Sequence, residues 1–164
     1  MIKMREIGFE ETDRLYECME DLARHHNEVS VYFKGDYPSI SSEKIVRLFG
    51  DDVKEGRSHI AVIEDAGKVI GFCKINISEK SGVLDYLAVL SQERGKGHGT
   101  ALMDWAFRKF DESKVDNVEV KVIYGNDAVN FYKKYGFREK SVLMNVKRNI
   151  FSAWKHEIYA DFCD

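Results

Sequence analysis

The feature that most constrains this chain is a run of alternating glycines placed between a strand-like and a helix-like segment. In "ERGKGHGTALMDWA" (93–106), glycine occupies positions 95, 97 and 99 and then disappears. The preceding stretch, "GVLDYLAVL" (82–90), reads as an apolar strand. The following one repeats Leu102, Trp105/Ala106 and Lys109/Phe110 at helical spacing. A strand, a turn and a helix in that order aim unpaired backbone N–H groups and the positive end of a helix at one point. Glycine allows close approach of the backbone and positive φ angles. Arg94 and Lys96 add positive charge, and Thr100 adds a hydroxyl donor. The ligand that suits such a turn is a phosphate or pyrophosphate.

Two familiar phosphate motifs do not fit. The Walker pattern places Lys and Ser/Thr after its last glycine, whereas Lys96 precedes Gly97. The dinucleotide pattern is G-x-G-x-x-G, and the spacing here is G-x-G-x-G. The strand before the turn also ends an antiparallel meander of three strand-like runs, 58–64, 68–77 and 82–90, joined by "EDAGK" and "SEKSG". A nucleotide-binding fold would start with β-α-β instead.

Upstream, residues 2–8 read as a first strand. Thr12 or Asp13 caps a helix running to about His25, and "SSEKIVRLFGDDVKEG" is a capped amphipathic helix burying Ile45, Leu48 and Phe49. Between them, 27–42 reads as a loop. Downstream come a strand (117–124), a short helix (126–135) stopped by Gly136, and a last strand region (136–147). The order β-α-α-β-β-β-α-β-α-β predicts an α/β sandwich with a mixed sheet. A tail, 149–164, repeats Phe151, Trp154, Ile158 and Phe162 along one helical face, which suits packing on its own domain or on a second subunit.

With 164 residues and no internal linker, residues 1–148 make one domain followed by that tail. A net charge of −3, without a concentrated basic face, argues against nucleic acid. The N-terminus has no long apolar segment, so neither a signal peptide nor a membrane anchor is expected. The three cysteines are scattered and suit a reducing, cytoplasmic setting. No Cys/His cluster has metal-ligand spacing, so no metal is expected.

The pattern R-x-x-G-x-G formed by Arg94, Gly97 and Gly99, within "LAVLSQERGKGHGTALM", resembles the coenzyme A pyrophosphate loop of the GNAT superfamily of N-acetyltransferases. "NDAVNFYKKYGF" resembles that family's N-x-x-A…Y-x-x-x-G-F element, and the two motifs stand the expected distance apart. One departure is visible. Ala128 and Tyr132 follow Asn126 by two and six residues, one fewer than the family pattern, while Tyr132–Gly136–Phe137 keeps its spacing.

The resemblance implies a GNAT-like three-layer sandwich around a mixed, mostly antiparallel sheet, and transfer of an acetyl group from acetyl-CoA to a primary amine of a small molecule or peptide by direct attack. It implies that backbone groups of Arg94, Gly95, Lys96, Gly97, His98, Gly99 and Thr100 hold the diphosphate. By the same mapping Leu87, Ala88 and Val89 bind the pantetheine arm, one of their N–H groups polarises the thioester, and Asn126 contacts the coenzyme. Tyr132 is the general acid for the leaving thiolate, its phenol pKa of about 10 lying close to that of a thiol. The competing reading packs Tyr132 between Phe131 and Phe137. Asp85, two residues before Leu87, takes the amine proton or holds the ammonium, unless it is an ordinary salt-bridged strand carboxylate; Tyr86 alternates to the other face. His26, Tyr32, Phe33 and Tyr37 are candidates for the acceptor wall, although His25 and His26 also suit a helix C-terminus. A homodimer is compatible with the apolar tail. The rival function is a non-catalytic acyl-CoA-binding or sensor module of the same fold.

Overall fold

A computed structural model describes residues 1–146 of the chain; the tail 149–164, and its expected amphipathic helix, lie outside the described residues. The chain divides into two units, Met1–Ala128 and Val129–Asp164, of which the second is described through residue 146.

The first unit opens with β1 (Lys3–Glu6) and a 3-10 stretch, Phe9–Leu15, that leads into α1 (Tyr16–Val29). Helix α2 (Ser42–Lys54) follows, then β2 (Ser58–Asp65), β3 (Lys68–Ser78) and β4 (Ser81–Val89). A short 3-10 turn, Ser91–Glu93, precedes α3 (His98–Glu112) and β5 (Asn117–Val120). Among the described residues the strands form one sheet ordered β1-β2-β3-β4-β5, antiparallel throughout except for the parallel β4–β5 pair.

The first helix begins later and ends later than its periodicity suggests. Thr12 donates to the Phe9 carbonyl inside the 3-10 stretch instead of capping α1, which runs on to Val29. Helix α2 is capped as expected: the Ser41 hydroxyl accepts from the Lys44 N–H at 3.3 Å. Its buried face is Ile45, Val46 and Phe49, and Leu48 points outward. The strand expected over 136–147 does not form through residue 146. Val142, Leu143 and Met144 are 85–89% exposed there, and alternation alone makes no strand without a partner to complete the ladder.

Helices cover both faces of the sheet. Phe72 and Lys74 of β3 lie on the α2 side, where the Phe49 ring meets both. Gly82 of β4 lies on the α3 side, where only a missing side chain admits the Phe110 ring; a Cβ there would sit 2.5 Å from Phe110 Cε1. Ile60, Phe72, Ile75, Leu84, Leu102 and Met103 are among the fully buried side chains, so the core spans both faces of β2, β3 and β4.

Two irregularities of β4 shape the site. Lys74 pairs with Tyr86 while Ile75 pairs with Leu84, so Asp85 is an extra residue, a β-bulge. Pairing with β5 stops at Leu84–Val120, so beyond Leu84 one edge of β4 has no strand partner among the described residues.

Candidate active site

The glycine turn has the local structure its sequence demands. Arg94 is extended, Gly95 and Gly97 take φ of +76° and +87°, and α3 begins at His98. An added Cβ at Gly95 or Gly97 would meet no protein atom within 4 Å, so conformation and an open approach, not crowding by the chain, select glycine. Among the described residues the N–H groups of 95–100 have no acceptor, and the first to find one is Ala101, on the Gly97 carbonyl at 3.1 Å. These are orphan donors at the positive end of a 15-residue helix, a cradle that fits a diphosphate.

The charged side chains beside the turn are paired within the chain. The Arg94 guanidinium donates to Asp21 at 2.9 Å and to the Val89 carbonyl at 3.0 Å. Lys96 pairs with Glu93 at 2.9 Å. His98 is buried, its Nε2 has no hydrogen-bond partner among the described residues, and it lies 3.8 Å from Glu93 Oε2. Thr100 is exposed at the start of α3.

Leu87, Ala88 and Val89 pair with Cys73, Phe72 and Gly71 on one side, and their other edge is the one β5 leaves open. The bulge brings Asp85 and Tyr86 to the same face, where strict alternation separates them. Asp85 Oδ2 accepts from the Lys74 ammonium at 2.6 Å, while Tyr86 packs edge-on against Phe49, the ring that Lys74 also caps. Lys74 is 1% exposed and bonds Asn76 at 2.9 Å and Asp52 at 3.1 Å as well. Burial, and then the Asp85 charge, raises the Tyr86 phenol above its ordinary pKa.

The candidates for an acceptor wall, His26, Tyr32, Phe33 and Tyr37, lie at the end of α1 and in the segment after it. The His26 ring meets Tyr37 edge-on at 5.4 Å, and Tyr32 stacks on Tyr124 at 5.9 Å with both rings exposed. The Phe33 N–H donates to the buried Ser30 hydroxyl at 3.1 Å. Burial first, then the charges of His25 and Arg94, push the His26 pKa down to about 4, so its ring is neutral near pH 7. Asn27 ties the loop down: its Oδ1 accepts from the N–H groups of Gly35 and Tyr37, and its Nδ2 donates to the Tyr37 carbonyl. Asn126 Oδ1 accepts from the Ala128 N–H at 2.9 Å, an Asx turn that leads into the helix starting there.

In the second unit, α4 (Ala128–Lys134, its first residue belonging to the first unit) carries Tyr132, which is buried. Phe131 and Phe137 both meet its ring edge-on, at 5.6 and 5.8 Å. Gly136, at φ +90°, ends the helix, its N–H on the Lys133 carbonyl.

Asp21, Ser91, Lys74, Asp52 and Asn27 were not singled out from the sequence. The signal for one of them was present: Lys74 is a charged residue inside an apolar strand-like run, "FCKIN". A charge in such a place must be paired. Among the described residues no group of acidic, His or Cys side chains could hold a metal ion, and no helix is long and apolar enough to cross a membrane.

Residues 56–139 match the acetyltransferase (GNAT) domain family. The chain is 32% identical over 110 residues to an N-alpha-acetyltransferase of Sulfurisphaera tokodaii, a match spanning 58% of this chain and 66%, just under two thirds, of that relative. Its fold is similar to that of PaiA N-acetyltransferase from Thermoplasma acidophilum solved with coenzyme A (TM-score 0.72, 17% identity, 87% of this chain and 93% of that one). It is similar as well to glucosamine-6-phosphate N-acetyltransferase from Arabidopsis thaliana (TM-score 0.65, 21% identity, 90% and 98%).

Proposed function

Because the chain belongs to the GNAT family of acetyltransferase domains, we propose that it transfers an acetyl group from acetyl-coenzyme A directly to a primary amine of a small molecule or peptide. The observation that carries this reading is the glycine turn, whose N–H groups at 95–100 have no acceptor among the described residues and which follows a strand with one open edge. The turn takes the diphosphate. The open edge of Leu87–Val89 takes the pantetheine amides, and an N–H there polarises the thioester carbonyl.

The amine lone pair attacks the carbonyl carbon, the C–S bond breaks, and the thiolate takes a proton from the Tyr132 phenol. The proton lost by the amine goes to Asp85 or to solvent. Lys74 occupies Asp85 Oδ2, which leaves Oδ1 as the oxygen that meets the acceptor. The exposed Tyr32, with His26, Phe33 and Tyr37, shapes the acceptor entrance. The α-amine substrate named for the Sulfurisphaera relative supports a peptide N-terminus as one acceptor to try. Buried, protonated thiols at Cys18 (pKa pushed up to about 12 by burial) and Cys73 suit a reducing, cytoplasmic setting.

Release of free coenzyme A thiol from acetyl-coenzyme A, dependent on an added amine, tests the reading. A panel should hold peptide N-termini, polyamines and amino sugars. Coenzyme binding without turnover on any amine would replace it with the acyl-coenzyme sensor reading.

A further inference from the structure

We propose that Asp21, within α1, is a positioning residue that holds the corner leading into the glycine turn, so that the N–H groups of residues 95–100 are in place before coenzyme arrives. The proposal rests on the reading of that turn as the coenzyme site. Asp21 is 5% exposed, and aspartate is a poor helix-interior residue, so helix propensity does not account for it. Its carboxylate is nonetheless filled. Oδ1 accepts from Arg24 at 2.5 Å and from the Ser91 hydroxyl at 3.0 Å; Oδ2 accepts from the Ser91 N–H at 3.1 Å and from Arg94 at 2.9 Å. Four donors use the capacity of one carboxylate.

Three of those four bonds reach residues 91 and 94, about seventy positions away along the chain. Arg94 is fixed a second time by its Nε bond to the Val89 carbonyl. The corner from Val89 to Arg94 is thereby held at both ends, and the glycine-rich 95–99 stretch starts from a fixed residue. A ligand that binds backbone N–H groups must otherwise pay to order them, so fixing the corner in advance raises affinity. Arg94 accordingly acts through its bonds to Asp21 and Val89, not as a side-chain clamp on phosphate.

Isothermal titration with coenzyme A on Asp21→Asn, Arg94→Gln and the double variant tests this, alongside amide hydrogen exchange of residues 95–101 without ligand. Loss of a charge-assisted bond predicts a Kd about tenfold or more weaker in each single variant. The double variant should be no worse than the weaker single, because both break one device. Exchange at 95–101 should rise in Asp21→Asn, and KM for acetyl-coenzyme A should suffer more than kcat. Arg94→Lys, able to keep the Asp21 contact but not the Val89 bond as well, should fall between. If Asp21→Asn does not fold, Ser91→Ala removes one bond at full charge and should show the same effects, smaller.

Asp21→Asn with unchanged affinity and exchange overturns the positioning role. Additive losses in the double variant overturn it too, by making Arg94 a direct phosphate ligand. Wild-type protein that ignores coenzyme A while Asp21→Asn still loosens residues 95–101 overturns the coenzyme reading and leaves the positioning role standing.

Discussion

Replacing Lys74 with methionine keeps the length of its stem and removes its ammonium. The side chain is 1% exposed and donates to Asp85, Asn76 and Asp52 at 2.6, 2.9 and 3.1 Å, so the loss takes the cation from Asp85, while Asp52 keeps its second partner, Arg57, at 2.9 Å. Breaking a fully buried ion pair costs about 3–5 kcal/mol. Here the carboxylate side chains are 31% and 26% exposed, and water can take up part of the lost bonding. The expected cost is therefore about 2–3 kcal/mol. For a domain of this size that lowers Tm by roughly 4–12 °C, measurable by thermal unfolding followed by circular dichroism. Lys74→Met combined with Asp85→Asn should destabilise less than the sum of the two changes, since the second removes a charge the first left uncompensated. Lys74→Met should also lower kcat/KM for the amine more than it weakens coenzyme binding. A Lys74→Met protein as stable as wild type would refute the reasoning, because the ammonium would then contribute nothing net to the cluster.

Gly82→Ala places a Cβ 2.5 Å from Phe110 Cε1, and Phe110 is 2% exposed and cannot swing away; the variant should lose about 1–3 kcal/mol, with Phe110→Leu recovering part of it in urea unfolding. His26 should stay neutral by NMR titration until the pH approaches about 4. Because its folded value lies below the ordinary value of about 6.5, it contributes stability that is fully present above pH 6.5 and lost as the pH falls towards 4; a ring that titrates near 6.5 would contradict its burial. Tyr132→Phe should lower kcat by about tenfold to a thousandfold while acetyl-coenzyme A affinity changes little, and unchanged turnover would remove the phenol from the chemistry.

The turn was legible because its constraint is local. Positive φ at Gly95 and Gly97, the strand before and the helix after are all written within about twenty residues. The meander was legible for the same reason, through period-two runs and short turns. Contacts between distant segments were not. Whether Arg94 meets a phosphate or a carboxylate depends on Asp21, which only the packing of α1 brings near. A bulge cannot be seen in an alternating pattern, so Asp85 and Tyr86 were assigned to opposite faces. Leu48 and Val46 exchanged roles because several stripes on α2 are apolar enough to be the buried one, and the sheet decides among them. The pattern at 136–147 has strand character, but through residue 146 it has no strand partner among the described residues, and a strand needs both.

We propose the N–H groups of residues 95–100 as the site for the diphosphate of acetyl-coenzyme A. Calorimetric titration of the wild-type protein and of Gly97→Val with acetyl-coenzyme A, with ATP and NAD as controls, addresses it most directly. Wild type should bind the coenzyme saturably and one to one, with no comparable affinity for ATP or NAD, and a folded Gly97→Val should lose binding, because its side chain fits neither φ +87° nor the approach of the ligand. No binding by wild type, or full binding by Gly97→Val, would contradict this assignment.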